Sequence, residues 1–247
     1  MRHPPRRAVG RVTVGLLVGG GALCALTACS GSAAPPAPSS TTSTTTTARA
    51  PVSLITPATT FTLDLTSGRI APPWEFTRAT LTTAPGIPAR VLHLTAPAKP
   101  AFVSLPPRAL APGHTGYSFR ARFRITARAA GQTVGLVTVE NARRQANDDL
   151  FVDARTGRCR IDIFRADTAR SPTRCDDGRW HTVTVVGDFA TATATMSWTL
   201  DGAAMPRVTS TGQIPTTVRR LFVGDATPGK SNTTDWTGVA FALVRGA

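Results

Sequence analysis

Three arginines at alternate positions, Arg120, Arg122 and Arg124, lie in the run Tyr117 to Thr126, interleaved with Phe119, Ala121, Phe123 and Ile125. A guanidinium is a planar fork of five donors that fits carboxylate, phosphate or sulfate oxygens. Three of them on one side of an extended segment form either a ladder for such groups or a solvated face. Arg158 and Arg160 join the ladder if their segment lies in the same sheet. Acid chemistry is less well provided for. Retaining glycoside hydrolysis needs two carboxyl groups roughly 5–5.5 Å apart, yet Glu75 and Glu140 are the chain's only glutamates and stand far apart in sequence. Distant aspartates remain able to meet in space. Asp162 sits in Arg160-Ile161-Asp162-Ile163-Phe164-Arg165, where pairing with a neighbouring arginine is the ordinary expectation. His93, His114 and His181 each stand alone, without a nucleophile motif, and His181 reads as a structural hydrogen-bonding residue. Among the aromatic residues, Trp74 and Trp236, near expected strand ends, are the better exposed candidates for stacking on a ligand. Trp180, Trp198 and the lone Tyr117 read as core.

The elements that must carry these residues are strands. Tyr117 to Thr126 alternates apolar and basic residues with period two, the pattern of a half-buried strand. Similar runs occur at Phe61 to Leu65, Val91 to Leu94, Thr133 to Glu140, Leu150 to Asp153, Arg158 to Phe164, His181 to Asp188, Thr193 to Leu200, Leu221 to Val223 and Val239 to Val244. Helix signals are missing. About ten short strands separated by Gly, Pro, Asp and Asn clusters predict an all-β antiparallel two-sheet sandwich over residues 52–247.

One stretch is more specific. Asp177-Gly178-Arg179-Trp180-His181-Thr182-Val183, then Trp198-Thr199-Leu200-Asp201-Gly202 and Leu221-Phe222-Val223-Gly224, resembles the core of laminin-G-like domains of the concanavalin A-like lectin/glucanase superfamily. Trp236-Thr237-Gly238-Val239 matches part of the closing motif, with Ala240 and Phe241 where an aspartate is common. The resemblance covers roughly residues 115–245. It implies a jelly-roll sandwich on which carbohydrates and other ligands are bound, although fold does not fix function. It implies calcium as a possible ligand, for which Asp148-Asp149, Asp176-Asp177 and Asp225 are the available acids. The alternating Glu-x-Asp-x-x-Glu strand of the superfamily's glucanases is absent, which leans the reading away from an enzyme.

The first 28 residues resemble the export signal of a bacterial lipoprotein. Arg2, Arg6, Arg7 and Arg11 precede an apolar run from Val12 to Leu26, too short to span a bilayer, and Leu26-Thr27-Ala28-Cys29 has the form of a lipobox. This implies cleavage before Cys29, a lipid on its sulfur, and residence on the outer face of the cytoplasmic membrane. Residues 29–51 are almost wholly Ser, Thr, Ala, Pro and Gly, a composition that predicts a disordered tether. The mature chain would carry 24 basic against 14 acidic side chains, a net +10, with 22 of the 24 being arginine. Export makes anionic wall polymers or lipid headgroups better partners for that charge than nucleic acid. Cys159 and Cys175 are the two thiols left to the folded part. They predict one disulfide, worth roughly 3 kcal/mol by chain entropy, and give no support to a four-ligand zinc site.

Overall fold

The computed structural model describes residues 59–143, 147–163, 167–212 and 215–244. The expected export signal over residues 1–28, Cys29 and the expected tether over residues 29–51 lie outside these residues. The strands are β1 (Thr59–Thr62), β2 (Glu75–Thr77), β3 (Ala79–Ala84), β4 (Ile87–Pro97), β5 (Ala101–Leu105), β6 (Gly116–Arg128), β7 (Val134–Asn141) and β8 (Asn147–Val152). They continue as β9 (Arg158–Ile163), β10 (Asp167–Arg174), β11 (His181–Asp188), β12 (Thr193–Leu200), β13 (Ala203–Ala204), β14 (Val208–Thr211), β15 (Val218–Asp225) and β16 (Ser231–Val244). One 3-10 turn, Pro107–Ala109, interrupts them.

All pairings are antiparallel, and they form two sheets. Sheet A has the order β13-β12-β11-β6-β16-β4-β3, with β1 added to β16 and β14 to β12; sheet B has the order β10-β9-β8-β7-β15-β5-β2. Alternation explains how they stack. In β6, Tyr117, Phe119, Ala121, Phe123 and Ile125 are buried while Arg120 and Arg122 are exposed. Val183 and Val185 of β11 and Trp236 and Phe241 of β16 extend that inner face. Leu150, Ile161, Val139, Leu221, Val103 and Leu105 meet it from sheet B, giving one continuous apolar layer.

Two turns illustrate how local chemistry fixes register. Asp201 and Gly202 both have positive φ, 51° and 81°, as a two-residue hairpin requires, and they pair Leu200 with Ala203. Gly238, with φ 60°, lies where the β16–β6 register jumps from Thr237 opposite Arg122 to Ala240 opposite Arg120, a one-residue bulge. The Cys159–Cys175 disulfide forms, with Cα atoms 5.6 Å apart, and ties β9 to the end of β10.

Six strands go beyond the sequence reading: β2, β3, β5, β10, β13 and β14. β10 reads Asp-Thr-Ala-Arg-Ser-Pro-Thr-Arg, without an apolar alternation. It is an edge strand with a register break between Arg170 and Arg174, the one setting in which an internal proline such as Pro172 is tolerated.

Candidate functional site

The two sheets present two different outer faces. On sheet A the expected ladder lies on β6, the middle strand of the sheet order. Its three members are not equivalent. Arg124 stands opposite Asp235 of β16 and contacts it with Nη2 at 2.6 Å and Nε at 3.2 Å. Asp235 in turn lies 2.7 Å from Nδ1 of His93 on β4, so Arg124 is already neutralised within the sheet. Arg122 and Arg124 both lie over the ring of Trp180, at 5.7 and 5.0 Å from its centre. Trp180 is therefore partly buried on the outer face rather than in the core, contrary to expectation. Its neighbour His181 is structural as read: Nδ1 is 2.8 Å from Asp201 and Nε2 is 2.9 Å from Asp177. Burial works against its charge, but these two hydrogen bonds and carboxylate charges outweigh it and raise its pKa above the ordinary value.

Arg160 does not join the ladder. Its strand, β9, belongs to sheet B, so the guanidinium faces the opposite side of the sandwich, where it lies 4.9 Å from the Phe151 ring centre and 3.1 Å from Asp162. Trp74 and Trp236 are likewise corrected. Both are core residues, 6% and 0% exposed, and the indole nitrogens bond internally to Thr62 and Thr234. A strand-end position did not expose them because Trp236 falls on the inward phase of β16, opposite Phe123. Trp198 and Tyr117 are core, as expected.

Sheet B carries the groove. Register places Asp162 of β9, Asp149 of β8, Thr138 of β7, Phe222 of β15 and Ser104 of β5 in one row across its outer face. Two adjoining depressions of about 290 and 500 Å³ share Thr138, Asp149 and Thr227 as lining. Thr138 Oγ1 donates to Asp149 Oδ1 at 2.6 Å, which orients the carboxylate at the groove floor. On one side Phe222 and Phe102 pack edge to face at 5.1 Å, with Arg220 lying 5.3 Å from the Phe222 ring centre. On the other side stand Phe151, Arg160 and Asp162. Asp162 is buried; its Oδ1 and Arg160 Nε have no hydrogen-bond partner among the described residues. The arrangement offers apolar ring faces beside fixed carboxylate, hydroxyl and guanidinium groups, the composition expected of a site for a polar ligand with apolar faces.

Sequence reasoning missed Phe102, Phe151, Phe222, Thr138, Asp149 and Arg220 as a set. Phe222 is flanked by the buried Leu221 and Val223, so apolarity does not alternate there and the outward phase is invisible. The five aspartates weighed for calcium have other work. Asp148 accepts from Tyr117, Asp176 pairs with Arg128 and Arg174, Asp177 holds His181, and Asp225 accepts from Gly135 and Asn232. Asp148 and Asp149 sit within β8 rather than in a loop. Among the described residues no three acids, histidines or cysteines converge as metal ligands. Glu75 and Glu140 are on the same sheet but three strand spacings apart, about 14 Å, and Glu75 pairs with Arg108.

No protein-family model and no curated protein matches this sequence. Solved structures do. The Crh5 transglycosylase in complex with NAG superposes with TM-score 0.52 at 17% identity, over 76% of this chain and 85% of that one. A botulinum neurotoxin type C structure, whose cell entry depends on two ganglioside molecules, gives TM-score 0.53 at 9% identity, over 75% and 47%. The binding domain of botulinum neurotoxin DC, in complex with rat synaptotagmin II, gives 0.52 at 9%, over 75% and 48%. The fold that these structures share with this chain is an all-β antiparallel two-sheet sandwich. The chain spans about half of each toxin domain, so the likeness extends to the sandwich and not beyond it. Within the sandwich, the turn at Asp201-Gly202 and the bulge at Gly238 fall on the residues that carried the resemblance.

Proposed function

We propose that the chain is an exported lipoprotein, anchored through a lipid on Cys29, whose sandwich binds envelope or extracellular carbohydrate in the groove of sheet B. The observation that carries this reading is the row Asp162, Asp149, Thr138 and Phe222, flanked by Phe102 and Phe151. Sugars combine apolar ring faces with hydroxyl rims, and the groove pairs aromatic faces with oriented oxygen acceptors and guanidinium donors. Two of the structural neighbours, the transglycosylase with NAG and the ganglioside-dependent toxin, involve carbohydrate, which supports this reading. The third is bound to a protein, which keeps a partner-binding envelope protein as the outcome if no glycan binds.

A second reading rests on Asp149 and Asp162. They are direct register partners on β8 and β9, so their Cβ atoms lie about 5 Å apart and their carboxyl groups approach the separation of a retaining acid pair. This is the atypical pair that a carbohydrate-active enzyme on this chain would use.

One experiment separates these readings: binding of the detergent-solubilised protein to neutral and acidic envelope glycans, with glycan length followed over time. Phe222→Ala and Phe102→Ala are each expected to weaken binding about fivefold, since each ring is worth on the order of 1 kcal/mol, while glycan length stays constant. Unchanged affinity in both variants would remove the groove from the proposal. Shortening that stops in Asp149→Asn and Asp162→Asn would replace the binding reading with the enzymatic one. The anchor has its own test: labelled palmitate enters the wild-type protein and not Cys29→Ala, and equal labelling of the two would overturn it.

A further inference from the structure

The outer face of sheet A lies on the opposite side of the sandwich from the groove. Arg120 and Arg122 project from the same face of β6, the middle strand, two residues apart and thus about 7 Å from one another. Both are exposed and neither has a carboxylate partner among the described residues. Their register neighbours are Thr182 and Thr237 beside Arg122, and Thr184 and Ala240 beside Arg120. Arg124, one step further along, has Asp235 directly opposite, which is how a sheet ordinarily balances such a charge.

Two like charges side by side in mid-sheet, with hydroxyl or methyl groups where acids would neutralise them, oppose folding. Arg122 is nevertheless held in place, through its position over the Trp180 ring. The rows around the pair continue the same chemistry, with Thr199 beside Thr184 on β12 and Ser118 and Thr237 on the neighbouring positions of β6 and β16. The face is thus a shallow surface of guanidinium forks and hydroxyl donors, without a neighbouring aromatic pair like that of the groove.

We propose that Arg120 and Arg122 form a binding site for an extended polymer bearing repeated oxyanions, aligned along β6 with successive anionic groups on successive guanidiniums. Forked donors with adjacent hydroxyls suit phosphate or carboxylate oxygens, and a repeat along the strand suits a linear polymer rather than a single small ion. The sandwich then has two faces with different ligands, a carbohydrate groove on sheet B and an anionic track on sheet A.

The test uses the whole protein in detergent with linear polyphosphate, polygalacturonate and neutral dextran as probes. Arg120→Ser/Arg122→Ser is expected to lose at least tenfold in affinity for an anionic probe, with wild-type binding weakening as salt rises. Arg143→Ser/Arg155→Ser removes the same charge from two exposed turns of sheet B and is expected to retain that affinity. Phe222→Ala is expected to retain it too, so failure of the groove and failure of the track are distinguishable. The preferred probe decides between phosphate and carboxylate. Equal losses in the two double-arginine variants would reduce the effect to net charge and overturn the site. So would wild-type affinity in Arg120→Ser/Arg122→Ser, or binding only to anionic lipid vesicles and to neither polymer.

Discussion

Asp148→Asn is expected to become progressively more stable than the wild-type protein as pH rises from about 4 to about 8. Asp148 lies on the inward side of β8, 1% exposed, and its Oδ2 accepts a 2.6 Å hydrogen bond from the Tyr117 hydroxyl across the sandwich, while Oδ1 has no partner among the described residues. Burial raises its pKa to about 8, with the charge of Asp149 adding to the shift and the Tyr117 hydrogen bond opposing it. Because the folded pKa is raised, the native state is favoured fully below the ordinary carboxylate pKa. That advantage is lost as pH rises toward 8, since the unfolded chain ionises first. A separation of some four pKa units corresponds to a change on the order of 5 kcal/mol. Asparagine cannot ionise, so its stability profile loses this slope. At pH 4 the variant is expected to be level with or slightly below wild type, because its amide donors replace an unpartnered oxygen. Denaturant midpoints measured in both proteins across this pH range check the expectation, and parallel profiles would contradict it.

Gly187→Ala is expected to be among the most damaging single methyl additions in the sandwich. Gly187 pairs with Tyr117 in the β11–β6 register, and a Cβ there would fall 2.2 Å from the Tyr117 ring and 2.5 Å from Asp148 Oδ2. Neither neighbour can yield cheaply. The tyrosine ring is fully buried, stacked with Phe241 at 5.9 Å, tilted against Phe189 at 6.1 Å, and fixed at its hydroxyl by Asp148. Overpacking of this kind costs about 3 kcal/mol or more. Adding Tyr117→Leu is expected to relieve part of the clash, so the double variant should be destabilised by less than the sum of the two single changes. Additive losses would show that the methyl acts on something other than this ring.

The strands that carried clear alternation, β6, β11 and β12, fall where their sequences place them, the latter two with the same limits, His181 to Asp188 and Thr193 to Leu200. Each has one apolar and one polar face, and period two is a local property. The short or one-sidedly composed strands, such as β5 with Ala101-Phe-Val-Ser-Leu and the polar β10, left no such signal. Asp201-Gly202 is legible in the sequence for a related reason, because a positive φ restricts residue type wherever it occurs, whereas the bulge at Gly238 was visible only in the strand register.

The candidate sites were legible only in part. Arg120 and Arg122 could be placed on one face from their own strand, but the neutralisation of Arg124 needed Asp235, which is 111 residues away. Arg160 and the β6 arginines look alike in sequence and are separated by the assignment of β9 to sheet B. Trp74, Trp180 and Trp236 changed places between surface and core because an indole's burial depends on the phase of its strand and on what covers it.

By itself, then, the sequence determined the all-β class, the phase of its strongest strands, the hairpin at Asp201-Gly202 and the pairing of Cys159 with Cys175, all consequences of local pattern or of a count with one solution. The tertiary structure alone decided which strands share a sheet, and with that the groove of Phe102, Phe151, Phe222, Thr138 and Asp149, the approach of Asp149 to Asp162, and the buried link from Tyr117 to Asp148. These depend on pairings between residues distant in the chain, where many sheet orders satisfy the same alternation and only the packing of one complete core selects among them.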